Sequence, residues 1–158
     1  MIVTTSSDTE CGFQVKFDDQ VIVRTAQLPK TFSFQSTNNH RYFGSRQPLN
    51  FFSRRRTVLS DANRIEVAAI EKGLFLATLR IGEQTHEQTH RIKFQSMSLL
   101  ASLFGNLYFE IKDLGLRFDC KERFFSYEVK TEFSGSDAFT LAVIVLIHYE
   151  DVHRWRET

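Results

Sequence analysis

The chain is poor in the residues that punctuate or cross-link a fold, and each shortage excludes something. Only two cysteines occur in 158 residues, Cys11 and Cys120, far apart and in no metal-ligand spacing. They are expected as two free, partly buried thiols of a reducing compartment. Two prolines, Pro29 and Pro48, leave no proline-rich linker to divide the chain. The seven glycines are isolated at expected turns. None builds a Gly-x-Ser-x-Gly elbow, a Walker loop or a Gly-x-Gly-x-x-Gly turn, and Cys-x-x-Cys is missing. The formal charge of +1 lacks the basic excess of a whole-domain nucleic-acid binder, so any anion site must be a local patch. Met1 to Asp8 carries neither the basic nor the long apolar region of a signal peptide. A cytoplasmic location is therefore expected.

What the chain does have is phenylalanine: 16, against four Tyr and one Trp. Bulky aromatics favour strands and fill cores. With 42% hydrophobic and 25% charged residues, one globular domain over 1–158 with a real core is expected. Residues 1–10 are polar and expected to fray. From Gly12 the side chains alternate: Phe13, Val15 and Phe17, then Val21 to Val23 after an Asp18-Asp19 turn, then Phe32 and Phe34. Residues 36–50, rich in Ser, Asn, Arg and Gly, form the longest loop-like region. Further strands are expected over 54–59, 64–70, 74–81, 91–97, 107–111, 116–120 and 124–133, each set off by a turn signal.

The last segment differs. Ala138 to Ile147 is an uninterrupted apolar run of ten residues. A helix that is apolar on every side must be surrounded, and a membrane span needs roughly 17–25 residues. The β-branched Val143 to Ile147 could also read as a strand, but Ser136 can cap a helix, Asp137 suits the positive end of its dipole, and Arg154 and Arg156 suit the negative end. The expected fold is mainly β: a closed antiparallel β-barrel of about nine to twelve strands around a buried helix over 136–155.

This plan resembles the tubby-like β-barrel group, which includes tubby C-terminal domains, LURP-one-related proteins and phospholipid scramblases. The resemblance rests on Phe52 to Ala68, a basic strand followed by an Asp-containing turn and an apolar return, and on Ser136 to Ile147. It covers about residues 12–155. The charged tail from Tyr149 to Thr158 departs from the family pattern. The resemblance implies a non-enzymatic binding or adaptor domain, without cofactor, that meets an anionic lipid headgroup or a protein partner and sits peripherally at a membrane.

The candidate residues for that role lie in a basic cluster: Arg41, Arg46, Arg54 and Arg56, with Arg55, His40, Tyr42, Phe43, Phe51 and Phe52 interleaved. Guanidinium forks match phosphate oxygens. On a strand Arg54 and Arg56 face one way and Arg55 the other; the competing reading is a charged strand edge that discourages pairing with other chains. An exposed patch of Phe51, Phe52, Phe124 and Phe125 would instead mark a structural or assembly subunit. His86 and His90 fall in a tandem Glu-Gln-Thr-His repeat expected as a loop. His148 and His153, roughly 140° apart on a helix, are expected as a polar cap where the helix leaves the barrel. Asp113, Asp119 and Glu122 cluster near one turn and offer a hard-cation alternative.

Overall fold

The computed structural model describes residues 1–8, 12–47, 55–72, 76–82, 87–94, 106–123 and 125–157. Among these residues twelve strands make two antiparallel sheets of six. One sheet has the order β10-β11-β12-β1-β2-β3, built from β10 (Asn106–Ile111), β11 (Leu116–Arg123), β12 (Ser126–Glu132), β1 (Ile2–Asp8), β2 (Gly12–Phe17) and β3 (Gln20–Thr25). The other runs β4-β5-β6-β7-β8-β9: β4 (Thr31–Gln35), β5 (Arg41–Arg46), β6 (Arg56–Ser60), β7 (Glu66–Lys72), β8 (Ala77–Ile81) and β9 (Gln88–Ile92). Edge β3 runs beside edge β4, and β9 beside β10, but among the described residues no ladder joins the two sheets. The expected mainly β fold with a buried terminal helix is present; among the described residues it is two sheets, and neither closes on itself.

The helix α1 (Ala138–Glu157) lies between the sheets, against β1 and β12 on one side and β6 and β7 on the other. Leu141, Ala142, Ile144, Val145, Leu146 and Ile147 have no exposed surface. Inward residues of both sheets surround them, including Phe13, Val15, Leu59, Ile70, Leu79, Phe118 and Val129. The all-round apolar run is explained: β-branched residues are tolerated in this helix because strands cover every face. Asp137, not Ser136, caps it. Its carboxylate accepts from the Thr140 backbone N–H at 2.9 Å and from the Thr140 hydroxyl.

Two expectations fail here for one reason. Residues 2–8 do not fray: β1 is an interior strand paired with β12 and β2. Its inward face is Val3, Thr5 and Ser7, so a period of two is present but two of its three members are hydroxyls. Within 36–50, β5 stands where a loop was expected, with Tyr42 and Gly44 turned inward. β1 turns hydroxyls toward the helix, and β5 has Gly44 and Arg46 on its inner side, so hydropathy does not reveal them. The Arg54–Leu59 strand likewise starts later, at Arg56, and runs one residue further.

Candidate functional site

The residues of α1 from His148 to His153 lie inside the molecule. His148, Glu150, Asp151 and His153 are all buried, which corrects the expectation of a polar cap where the helix leaves the barrel. His148 places Nδ1 2.8 Å from Thr5 Oγ1 and Nε2 2.8 Å from Thr131 Oγ1. Burial holds this imidazole neutral, with its pKa lowered to about 3. Asp151 accepts from the Tyr127 hydroxyl and from Arg154 at 3.0 Å, with the Cys120 thiol at 3.6 Å. Burial raises Asp151, and the Arg154 charge opposes that rise. Burial also raises the Cys120 thiol, which is therefore a poor nucleophile.

Glu150 accepts from Thr57 Oγ1 at 2.6 Å and pairs with Arg46 at 3.6 Å. His153 accepts from Arg46 through Nδ1 at 2.6 Å, which leaves Nε2 to donate to the Pro29 carbonyl at 3.2 Å. Burial first, and the Arg46 charge second, lower His153 to about 4. Every one of these groups has a structural partner. Thr5 and His148 stand at the distance of a nucleophile and its base, but neither has exposed surface at which a substrate could meet them.

The basic cluster splits into separate places. Arg46 turns inward onto the helix. Arg56 turns outward and binds Glu66 in a fork, with Glu71 at 3.4 Å; the Glu66 hydrogen bond raises its pKa. Arg55, on the opposite side of the strand as the alternation requires, reaches Glu157 at 2.5 Å. Arg54, Phe51, Phe52, Phe124, His86 and Cys11 lie outside the described residues. Arg41 stays on the outer surface, where its guanidinium donates to Ser33 Oγ at 3.3 Å.

Ser33 leads to a groove that the sequence did not disclose. On the outer face of β4, β5 and β6, Phe43 pairs across the ladders with Ser33 and with Ser60, and Ser45 with Thr31. Arg64 crosses from the β6–β7 turn and lays its guanidinium 3.8 Å from the centre of the Phe43 ring. Thr31, Ser33, Phe43, Ser45, Ser60 and Arg64 thus line a depression of about 350 Å³ that contains hydroxyls, an aromatic ring and a cation but no carboxylate. Arg64 holds φ of +62°, a conformation costly for a non-glycine residue. The turn enforces it: Asp61 accepts from the backbone N–H groups of Asn63, Arg64 and Ile65. Arg64 was legible only as the first residue of a returning strand; the cross-strand meeting with Phe43 depends on the β5–β6 register.

The other sequence candidates disperse. His90 is buried in β9, 3.4 Å from Asp113, rather than in a loop. Asp119 pairs with Arg117, and Glu122 accepts from Trp155. Among the described residues no three His, Cys, Asp or Glu side chains gather as metal ligands. Compared with family models, curated proteins and solved structures, the chain matches none.

Proposed function

We propose that this chain is a non-enzymatic binding domain that recognises an anionic, phosphoinositide-like lipid headgroup at the β4–β5–β6 groove. The observation that carries the reading is Arg64 laid over Phe43 in a groove whose lining holds no acid, with Arg41 hydrogen-bonded to the lining residue Ser33. Both guanidinium groups are free of ion pairs among the described residues, unlike Arg46, Arg55 and Arg56. Phosphate oxygens would take charge-assisted hydrogen bonds from the two forks and neutral ones from Ser33, Ser45 and Ser60. Such contacts weaken with salt. No described helix is long and apolar enough to cross a membrane, so contact would be peripheral. The two sheets, with edges β3 beside β4 and β9 beside β10, are read as a tubby-like barrel split at two seams, which makes the groove part of a rigid outer wall.

Co-sedimentation with phosphatidylcholine vesicles, with and without phosphoinositide, tests this. Binding should require the anionic lipid, fall with added salt, and be lost in the Arg41→Ala, Arg64→Ala double variant. Equal recovery on neutral and anionic vesicles would reject the reading. A second reading, an assembly subunit, is favoured by Phe125, which is 67% exposed. Light scattering separates it: a monomer unaffected by Phe125→Ser counts against assembly.

A further inference from the structure

Three strand ends meet at the last turn of α1. β5 ends in Arg46, β6 is entered through Arg55, and β7 ends in Lys72. Backbone bonds fix their alignment: Lys72 N–H donates to Arg55 O at 2.9 Å, and Gln47 N–H to Arg56 O at 2.8 Å. All three cations point at one carboxylate. Glu157 lies 2.8 Å from Arg46 Nη1, 2.5 Å from Arg55 Nη1 and 3.6 Å from Lys72 Nζ.

The arrangement is richer in positive charge and in donors than one carboxylate uses. The Arg46 side chain is only 10% exposed, and its Nε and Nη2 are buried without a hydrogen bond. Its inner neighbour Glu150 is at 3.6 Å, and its other neighbour, His153, is neutral. Glu157 also sits at the negative end of the helix dipole, where an acid is unfavourable. It stays ionised nonetheless: burial would raise its pKa, but the hydrogen bond and charge of Arg46, with Arg55, carry it below the usual range. The helix is fastened just before it, through Trp155 to Glu122 and Arg156 to Ser7 and the Asp8 carbonyl. The Glu157 side chain can therefore swing out without unwinding α1.

We propose that Arg46, Arg55 and Lys72 form an anion site for a soluble phosphate or phosphomonoester, and that Glu157 is its built-in occupant, displaced on binding. A phosphate dianion brings more charge and more acceptor oxygens to the same forks than a carboxylate does. Arg46 is nearly enclosed, which suits a free ion better than a membrane surface. The site shares no residue with the Arg41–Arg64 groove.

Calorimetric titration with inorganic phosphate, against chloride at matched ionic strength, tests the proposal. Glu157→Ala should bind phosphate about tenfold tighter than the parent protein because the competitor is gone. Adding Arg55→Ala and Lys72→Ala to that variant should abolish binding, whereas Arg41→Ala with Arg64→Ala should leave it unchanged and lose only vesicle binding. Side-chain NMR of the unaltered protein gives a second readout: phosphate should shift the Arg46 and Arg55 Nε–Hε resonances. Equal affinity with and without Glu157, binding that survives loss of Arg55 and Lys72, or unmoved arginine resonances would each overturn the proposal.

Discussion

Thr5 and His148 stand 143 residues apart in the chain, yet Thr5 Oγ1 lies 2.8 Å from His148 Nδ1 and neither residue has exposed surface. With Thr131 on the other ring nitrogen, both imidazole nitrogens have a hydroxyl partner. The hydroxyl faces of β1 and β12 exist for this contact. A central strand made of Ile-Val-Thr-Thr-Ser-Ser-Asp is thereby tied to a helix whose second half is polar.

The burial of the His148 and His153 imidazoles gives a pH dependence. Burial lowers His148 from 6.5 to about 3, and His153 from 6.5 to about 4. Between those values the unfolded chain binds protons that the folded chain refuses, so stability falls as pH falls below about 6.5. Asp151 and Glu150, raised by burial, act with the opposite sign and blunt the loss. The quantity to compare is therefore the difference between the parent protein and His148→Gln in urea melts from pH 7 to pH 4. The parent should lose more stability over that range; parallel curves would refute the assignment.

Arg46 neutralises Glu150, which has almost no exposed surface. Arg46→Met should destabilise the fold by about 3–5 kcal/mol, because one buried charge then stands alone. Most of that loss should return in Arg46→Met with Glu150→Gln, since Thr57 still hydrogen-bonds the amide oxygen. Chemical denaturation of the double-mutant cycle measures it. Additive losses would show that the two side chains act independently.

Gly44 has a packing role. A Cβ there would lie 2.4 Å from the Phe32 ring, its cross-strand partner. Phe32 stacks on Phe34 and meets Tyr149 at 4.6 Å between ring centres. Gly44→Ala should cost about 1–3 kcal/mol through overpacking and should change the near-ultraviolet dichroism of these rings. A silent substitution would mean that the strand yields.

Asp137 caps α1 through Thr140. Asp137→Ala should cost about 1 kcal/mol. The Thr140 hydrogen bonds hold its carboxyl below the usual value, so this contribution is present near neutral pH and disappears as acid protonates the group. Thermal melts of the pair at pH 7 and at pH 3 should converge at the lower pH.

Much of the architecture was legible in the residues. Phe13, Val15 and Phe17, or Leu116, Phe118 and Cys120, alternate with polar neighbours and lie in strands with that face buried. The run from Leu141 to Ile147 announced an enclosed helix, and the helix is enclosed. β1 and β5 were illegible because their inner faces carry Thr, Ser and Gly. The arginine cluster was visible, but which members bind what was not. Arg46 and Arg55 turn to Glu157, Arg56 turns to Glu66, and Arg41 reaches Ser33 beside Phe43.

Local order is therefore written along the chain, because hydrophobic period and turn chemistry act over a few residues. From them follow a β-rich domain and a helix that must be wrapped. Only tertiary structure decided which strands flank that helix, and so where its buried His148, Glu150 and Asp151 find partners. It also decided that Arg64 meets Phe43 and that three cations converge on Glu157. Those meetings join residues far apart in sequence, and a polar group's role is set by the neighbour the fold brings to it.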